Sequence, residues 1–131
     1  MLNQQQLRTF DENGFLVLEK LFSSRKISAL REAAVEIVED FDIERHRTVF
    51  RTDDRDAGRD DYFFDSAENV HCFLEDGALD ESGELIRPRN LAINKIGHAM
   101  HDRIPEFTAF CRQPVIGEIL RDLGLEAPQL W

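Results

Sequence analysis

Apolar positions recur at helical spacing in some stretches of this chain and run together in others, and the contrast predicts its elements. Asn3 suits an N-cap, Leu7 and Phe10 form a stripe behind it, and Asn13-Gly14 closes the segment, so a short capped helix opens the chain. Phe15-Leu16-Val17-Leu18 is a nearly continuous apolar run and predicts a buried strand. Ser23 or Ser24 then caps a longer helix. Its apolar positions, Ile27, Leu30, Ala34, Ile37, Val38 and Phe41, keep helical periodicity and carry it to about Asp42.

The pattern dissolves between Ile43 and Asp61 into alternating Arg and Asp, which predicts a mobile, solvated surface loop. Tyr62 to Phe64 and Val70 to Leu74 are apolar patches that fit either strands or irregular core segments. Asp76-Gly77 and Ser82-Gly83 are turn signals. Pro88 introduces a second helical region, with Ile93, Ile96, Gly97 and Met100 on one face. Pro105 fits the first turn of a helix through Phe107 and Phe110. Pro114 starts a last helix, with Val115, Ile119, Leu120 and Leu123 inside and Gly124 as its C′ residue. Gln129-Leu130-Trp131 reads as the first turn of a new strand, so the fold is expected to continue in a second half.

Composition narrows the function classes. The chain has 131 residues and a mass of 15.2 kDa, which suits one domain. With 26 acidic against 16 basic residues the formal net charge is −10. Binding to a phosphate backbone needs clustered Lys and Arg, so nucleic acid is not an expected partner, and anionic membrane surfaces are disfavoured for the same reason. No apolar run approaches the roughly 18 residues of a membrane span. Met1 to Phe10 shows no basic segment followed by an apolar one, which predicts no secretory leader. Cys72 and Cys111 lie far apart and form no CxxC, so a reduced, cytoplasmic protein is expected.

The common chemical motifs fail on spacing. No glycines stand as GxG, which removes the dinucleotide fingerprint and the Walker loop, and Ser82-Gly83 lacks the preceding glycine of a nucleophile elbow. Aligning Gly58 with the sixth position of an EF-hand loop puts Arg55, Ala57 and Phe64 where oxygen ligands belong. Asp53, Asp54, Asp56, Asp60 and Asp61 therefore read as a solvated charge run. His98 and His101 stand at i, i+3 on the expected second helical region, with Asp102 adjacent, a start for a zinc site that lacks signalled further ligands. His71, with Glu68 and Glu75, is a weaker cluster of the same kind. None of the four histidines is followed at plus two by Asp or Glu, so the His-x-Asp form of a facial iron site is not in this chain.

Several ordered segments together resemble the N-terminal half of the phytanoyl-CoA dioxygenase family. They are Phe10-Asp11-Glu12-Asn13-Gly14-Phe15-Leu16-Val17-Leu18-Glu19, Asp61-Tyr62-Phe63-Phe64 and Phe73-Leu74-Glu75-Asp76-Gly77-Ala78-Leu79-Asp80. Ile93-Asn94-Lys95-Ile96-Gly97-His98-Ala99-Met100-His101 is the most specific of them, and Leu120 to Pro128 also fits. The resemblance implies an α+β fold: helices and a few strands of a double-stranded β-helix, or jelly-roll, oxygenase, incomplete within residues 1–131. It implies Fe(II) and 2-oxoglutarate as cofactor and cosubstrate of the complete family fold, with neither expected to bind tightly to this chain alone, and hydroxylation of a C–H bond in a small-molecule substrate, coupled to decarboxylation of 2-oxoglutarate. The family's His-x-Asp, later His and cosubstrate-binding Arg lie in its second half, so no catalytic or metal-ligating residue is carried over to this chain. Lys95 matches the family lysine that contacts 2-oxoglutarate, with Asn94 and His98 flanking it in orienting or capping roles. By itself, without the resemblance, Lys95 reads as a solvated lysine near a helix start. The resemblance thus implies an oxidoreductase part that is inactive alone, with a second polypeptide as a partner that supplies the missing half. The alternatives are a non-catalytic acidic interaction protein derived from the same family and a small metal-binding protein using His98, His101 and Asp102.

Overall fold

A computed structural model describes residues 1–50 and 61–130. Helices α1 (Gln4–Asn13) and α2 (Ser24–Asp40) open the chain. The short helix α3 (Asp61–Asp65) precedes strand β1 (Val70–Leu74), and the single turn α4 (Arg89–Ala92) runs directly into strand β2 (Ile93–His98). Three further helices follow: α5 (Met100–Arg103), α6 (Pro105–Cys111) and α7 (Pro114–Asp122).

The helix ends follow local chemistry. Asn3 and Gln6 form a reciprocal capping box, each side-chain oxygen accepting the other's backbone N–H at 2.9 Å. Gly14 closes α1 at φ 74°, a left-handed conformation that costs glycine no Cβ clash. Ser23 caps α2, and Pro105 and Pro114 occupy first-turn positions that have no N–H to lose. The open carbonyls at the end of α2 are met from a distance: the Arg89 guanidinium donates to Phe41 O and Val38 O. Phe22 packs on Phe110 with centroids 4.5 Å apart, which ties the approach to α2 onto α6.

The strands form a two-stranded antiparallel sheet in which Val70 faces His98, His71 faces Gly97, Cys72 faces Ile96 and Phe73 faces Lys95. A register irregularity follows, and Leu74 pairs with Ile93. Residues 48–50 line the other edge of β1. Leu74 donates to Thr48 O and accepts from Phe50 N–H, both at 2.9 Å. The core sits here: Leu74, Ala78 and Ala92 are buried, with Phe41, Val49, Leu79, Leu85 and Ile93 packed around them. Cys72 and Phe73 are buried beside it. Both cysteines are free thiols, and burial pushes the Cys72 thiol up to about 11 against the opposing effect of Arg89.

Several expectations from the sequence are corrected. Phe15 to Leu18 makes no strand, and Phe15 and Val17 are 63% and 71% exposed, because among the described residues no neighbouring strand pairs with that backbone or covers those side chains. Tyr62 to Phe64 is helical. The second helical region breaks after α4, since Ile93 to His98 pairs with β1 and tertiary pairing overrides the helical spacing of Ile93, Ile96 and Met100. Ile43 is buried and Val49 is bridged to Leu74, so the stretch up to Phe50 is not a solvated loop. The acidic run Asp53, Asp54, Asp56 and Asp60 lies outside the described residues, as does Trp131. Residues 125–130 carry no strand.

The architecture is mixed helix and sheet, and its burial is thin. The accessible surface is 9787 Å², whereas a compact monomer of this mass exposes about 7,100 Å². Phe15, Val17, Phe64, Ile86, Leu91 and Leu130 all stand exposed. Among the described residues no helix is long and apolar enough to cross a membrane. With a core this small, truncating a buried member weighs heavily. Leu74→Ala is expected to destabilise by about 2–5 kcal/mol. Urea unfolding followed by circular dichroism checks this, and a midpoint equal to that of the unsubstituted chain would contradict the placement of the core.

Candidate functional site

Side chains on a strand alternate between faces, so Lys95 and Gly97 share one face of β2, opposite Phe73 and His71 of β1. On this face the hairpin carries a cation, a glycine, an imidazole and a buried aromatic ring. Phe73 is fully buried, and its ring sits edge-on to Phe50, Tyr62 and Phe63, at 6.1, 5.5 and 5.8 Å between centroids. The apolar side chains of α3 and of residue 50 therefore build an aromatic wall over the sheet.

Lys95 is held against that wall. Its Nζ lies 4.7 Å from the centroid of Phe50, within the range of a cation–π contact. The position that a Cβ on Gly97 would occupy is 3.1 Å from Lys95 Cε. The missing side chain at Gly97 thus leaves the track along which the lysine stem lies. Among the described residues no carboxylate forms an ion pair with Lys95. An ammonium anchored by its stem and an aromatic face, with no acidic partner among the described residues, suits charge-assisted hydrogen bonds to an anion.

His98 ends β2 beside this cation. Its Nδ1 is 2.8 Å from the hydroxyl of Ser66, which is fully buried, and its ring rests at 5.7 Å from Phe63 and 6.2 Å from Phe73. Burial holds the imidazole below its ordinary value of 6.5, and the Lys95 ammonium adds to the effect. Asn94 points elsewhere. Its amide donates to Glu75 Oε2 at 2.6 Å, so it fastens β2 to the end of β1 and takes no part on the Lys95 face.

The expected clusters form no metal site among the described residues, although His98, His101 and Asp102 line one cavity. His101 lies in α5, where Nε2 is 3.4 Å from Asp102 Oδ2, and it does not share a helix with His98. His71 is on a strand, not a helix, and its ring nitrogens face Tyr62 O at 2.9 Å and Asp65 Oδ2 at 3.1 Å, with neither Glu68 nor Glu75. Among the described residues no group of three or more His, Cys, Asp or Glu side chains could hold a metal ion. Phe50, Phe73 and Ser66 were not singled out from the sequence. An isolated aromatic or serine carries no periodic signal, and only the folded hairpin brings these residues to Lys95.

Gly97→Ala tests the geometry. The added Cβ crowds the flexible end of Lys95, so the expected result is a displaced lysine with little loss of stability. Ring-current shifts of the Lys95 ε-methylene protons, which lie by Phe50, should move towards random-coil values in the variant. Unchanged shifts would contradict the packing described.

The family model for phytanoyl-CoA dioxygenase (PhyH) matches residues 10–123. Phytanoyl-CoA dioxygenase domain-containing protein 1 of Mus musculus is 37% identical over 132 residues, covering 97% of this chain and 45% of the mouse protein. The protein of the same name from Danio rerio is 37% identical over 133 residues, covering 98% of this chain and 46% of its own length. Phytanoyl-CoA dioxygenase 1 of Oryza sativa subsp. japonica is 37% identical over 127 residues, covering 97% of this chain and 44% of its own. The chain therefore spans a little under half the length of these curated relatives. With the model match running from the first helix to the last, this chain belongs to the phytanoyl-CoA dioxygenase family.

Proposed function

We propose that residues 1–131 form the cosubstrate side of an Fe(II)- and 2-oxoglutarate-dependent dioxygenase, one that hydroxylates a C–H bond of a small molecule as 2-oxoglutarate is decarboxylated. The observation that carries the reading is Lys95: an ammonium fixed over Phe50, with no carboxylate paired to it among the described residues. Enzymes of this family generally depend on Fe(II) and 2-oxoglutarate. A dicarboxylate fits the donor that Lys95 presents, through charge-assisted hydrogen bonds to one of its carboxylates. Iron does not fit the described residues, which bring no three ligating side chains together. The metal in this reading is held by protein outside them, and residues 1–131 alone do not turn over.

The exposed Phe15 and Val17, on a segment that forms no strand, favour this reading over a self-sufficient acidic interaction protein. A polypeptide that supplies the rest of the family fold is the natural partner for such surface.

Two measurements test the proposal. Supplied with Fe(II), ascorbate and 2-oxoglutarate, the 131-residue chain should produce no succinate above a no-protein control, and production would overturn the inactivity. In a 2-oxoglutarate titration, Lys95→Met should weaken binding roughly 10- to 100-fold, the loss expected for a hydrogen bond to a charged group. Equal affinity in the variant would remove Lys95 from the site.

A further inference from the structure

A cavity of about 520 Å³ opens between the end of α3, the junction of β2 with α5, and Leu130, and Lys95 is not among the residues that line it. Its volume is that of a small-molecule site. The apolar wall is made by Phe63, Phe64, Ala67, Ala99 and Leu130. Phe64 stands edge-on to Phe63 at 6.0 Å between centroids, and its side chain is largely uncovered. Residues that do not line the cavity brace it. Arg103 Nε donates to Glu68 O at 2.8 Å, and Asn69 O accepts from the backbone N–H of His98 and of Ala99 at 3.1 and 3.2 Å. The turn after α3 and the start of α5 are thus tied together across the end of β2, so the cavity is formed before anything enters it.

The polar groups of the cavity select its occupant. Asp102 pairs with His101 through Oδ2 at 3.4 Å and with Arg112 through Oδ1 at 3.0 Å. The carboxylate disfavours an anion and the guanidinium offsets its pull on a cation, so a neutral molecule suits the site. His98 is set by Ser66. The Ser66 hydroxyl has one hydrogen and lies 2.5 Å from Phe63 O, a carbonyl that can only accept, so the hydrogen goes there. Towards His98 Nδ1, 2.8 Å away, the same oxygen can then only accept. Nδ1 therefore carries the ring proton, and Nε2 of the neutral ring keeps its lone pair. Ser66 is fully buried and takes the Nδ1 side, which leaves the edge bearing Nε2 to meet the cavity. Nε2 has no protein partner among the described residues and is not sealed from solvent. A fixed acceptor beside an aromatic wall asks for a ligand that brings one hydrogen-bond donor on an apolar body.

We propose that this cavity is a binding site for a neutral small molecule with an aromatic or other apolar body and one hydroxyl, whose O–H donates to His98 Nε2. The site does not depend on the reading of Lys95 as a carboxylate anchor, and the two stand or fall separately.

NMR titration of the whole 131-residue chain at pH 7.5 tests this with three probes: 2-naphthol, 2-methoxynaphthalene, which has the same body without the O–H, and the anion 2-naphthoate. The naphthol should shift the ring signals of Phe63, Phe64 and His98. It should bind roughly 2- to 10-fold more tightly than the methyl ether, the worth of one neutral hydrogen bond, with the anion weakest. Long-range proton–nitrogen spectra should show a protonated Nδ1 and a bare Nε2 on His98, the reverse of the tautomer favoured by free histidine, and the naphthol should move the Nε2 signal. His98→Phe keeps an aromatic ring in the wall and should erase the advantage of the naphthol over its ether. No shift at Phe63, Phe64 and His98 up to the solubility of the naphthol overturns the proposal. Equal affinity of naphthol and ether in the unsubstituted chain, or a bare Nδ1, does the same without any variant having to fold.

Discussion

The pairing of β1 with β2 sets Phe73 directly across from Lys95, and most of the molecule is arranged around that pair. Phe73 is fully buried, so it fixes the face of the hairpin that must be covered. The rings of Phe50, Tyr62 and Phe63 provide the cover. A slip of one residue in register would send Phe73 and Lys95 to opposite faces and leave the lysine without its aromatic wall. The same pairing brings Ala92 under Leu74 and Ala78, where the small core forms, and draws α4 to the end of α2 through Arg89.

Lys95 stands out for what is missing around it among the described residues. Buried or half-buried cations are ordinarily matched by a carboxylate, and an acidic chain with a net charge of −10 has many to offer. The described acidic side chains are committed elsewhere or turned outward. Asp65 faces His71, Glu75 holds Asn94, Asp102 takes His101 and Arg112, and Asp80 accepts from the Ser82 hydroxyl, which lowers its carboxyl below the usual range. Lys95 is left with the ring of Phe50 beside it and, among the described residues, no carboxylate on its ammonium. His98 adds an imidazole whose Nδ1 lies 2.8 Å from the hydroxyl of the buried Ser66.

The exposed apolar surface belongs to the same account. A chain of this size with so little burial cannot offset much conformational entropy, and the segment after α1 leaves both Phe15 and Val17 in solvent. The family match covers nearly all of the chain but a little under half of each relative's length, which is consistent with surface that another part of the fold covers.

What could be read from the sequence is what depends on neighbours in sequence. The Asn3 cap, the Gly14 and Gly124 stops, the Ser23 cap of α2 and the prolines that open α6 and α7 need only a few adjacent residues, and all stand in the structure as the sequence predicts. The family, and Lys95 as its residue of interest, came from ordered segments that match without any knowledge of contacts. Whatever depends on a distant partner was decided by the tertiary structure. Phe15 to Leu18 has the composition of a strand and no strand beside it among the described residues, while Ile93 to His98 has helical spacing and pairs as a strand because β1 offers it an edge. Phe50, Ser66 and Phe73 became part of the site only when the chain brought them to Lys95 and His98. Hydrogen bonds of a strand, the face of a ring and the tautomer of an imidazole are properties of two groups at once, and only the fold sets both.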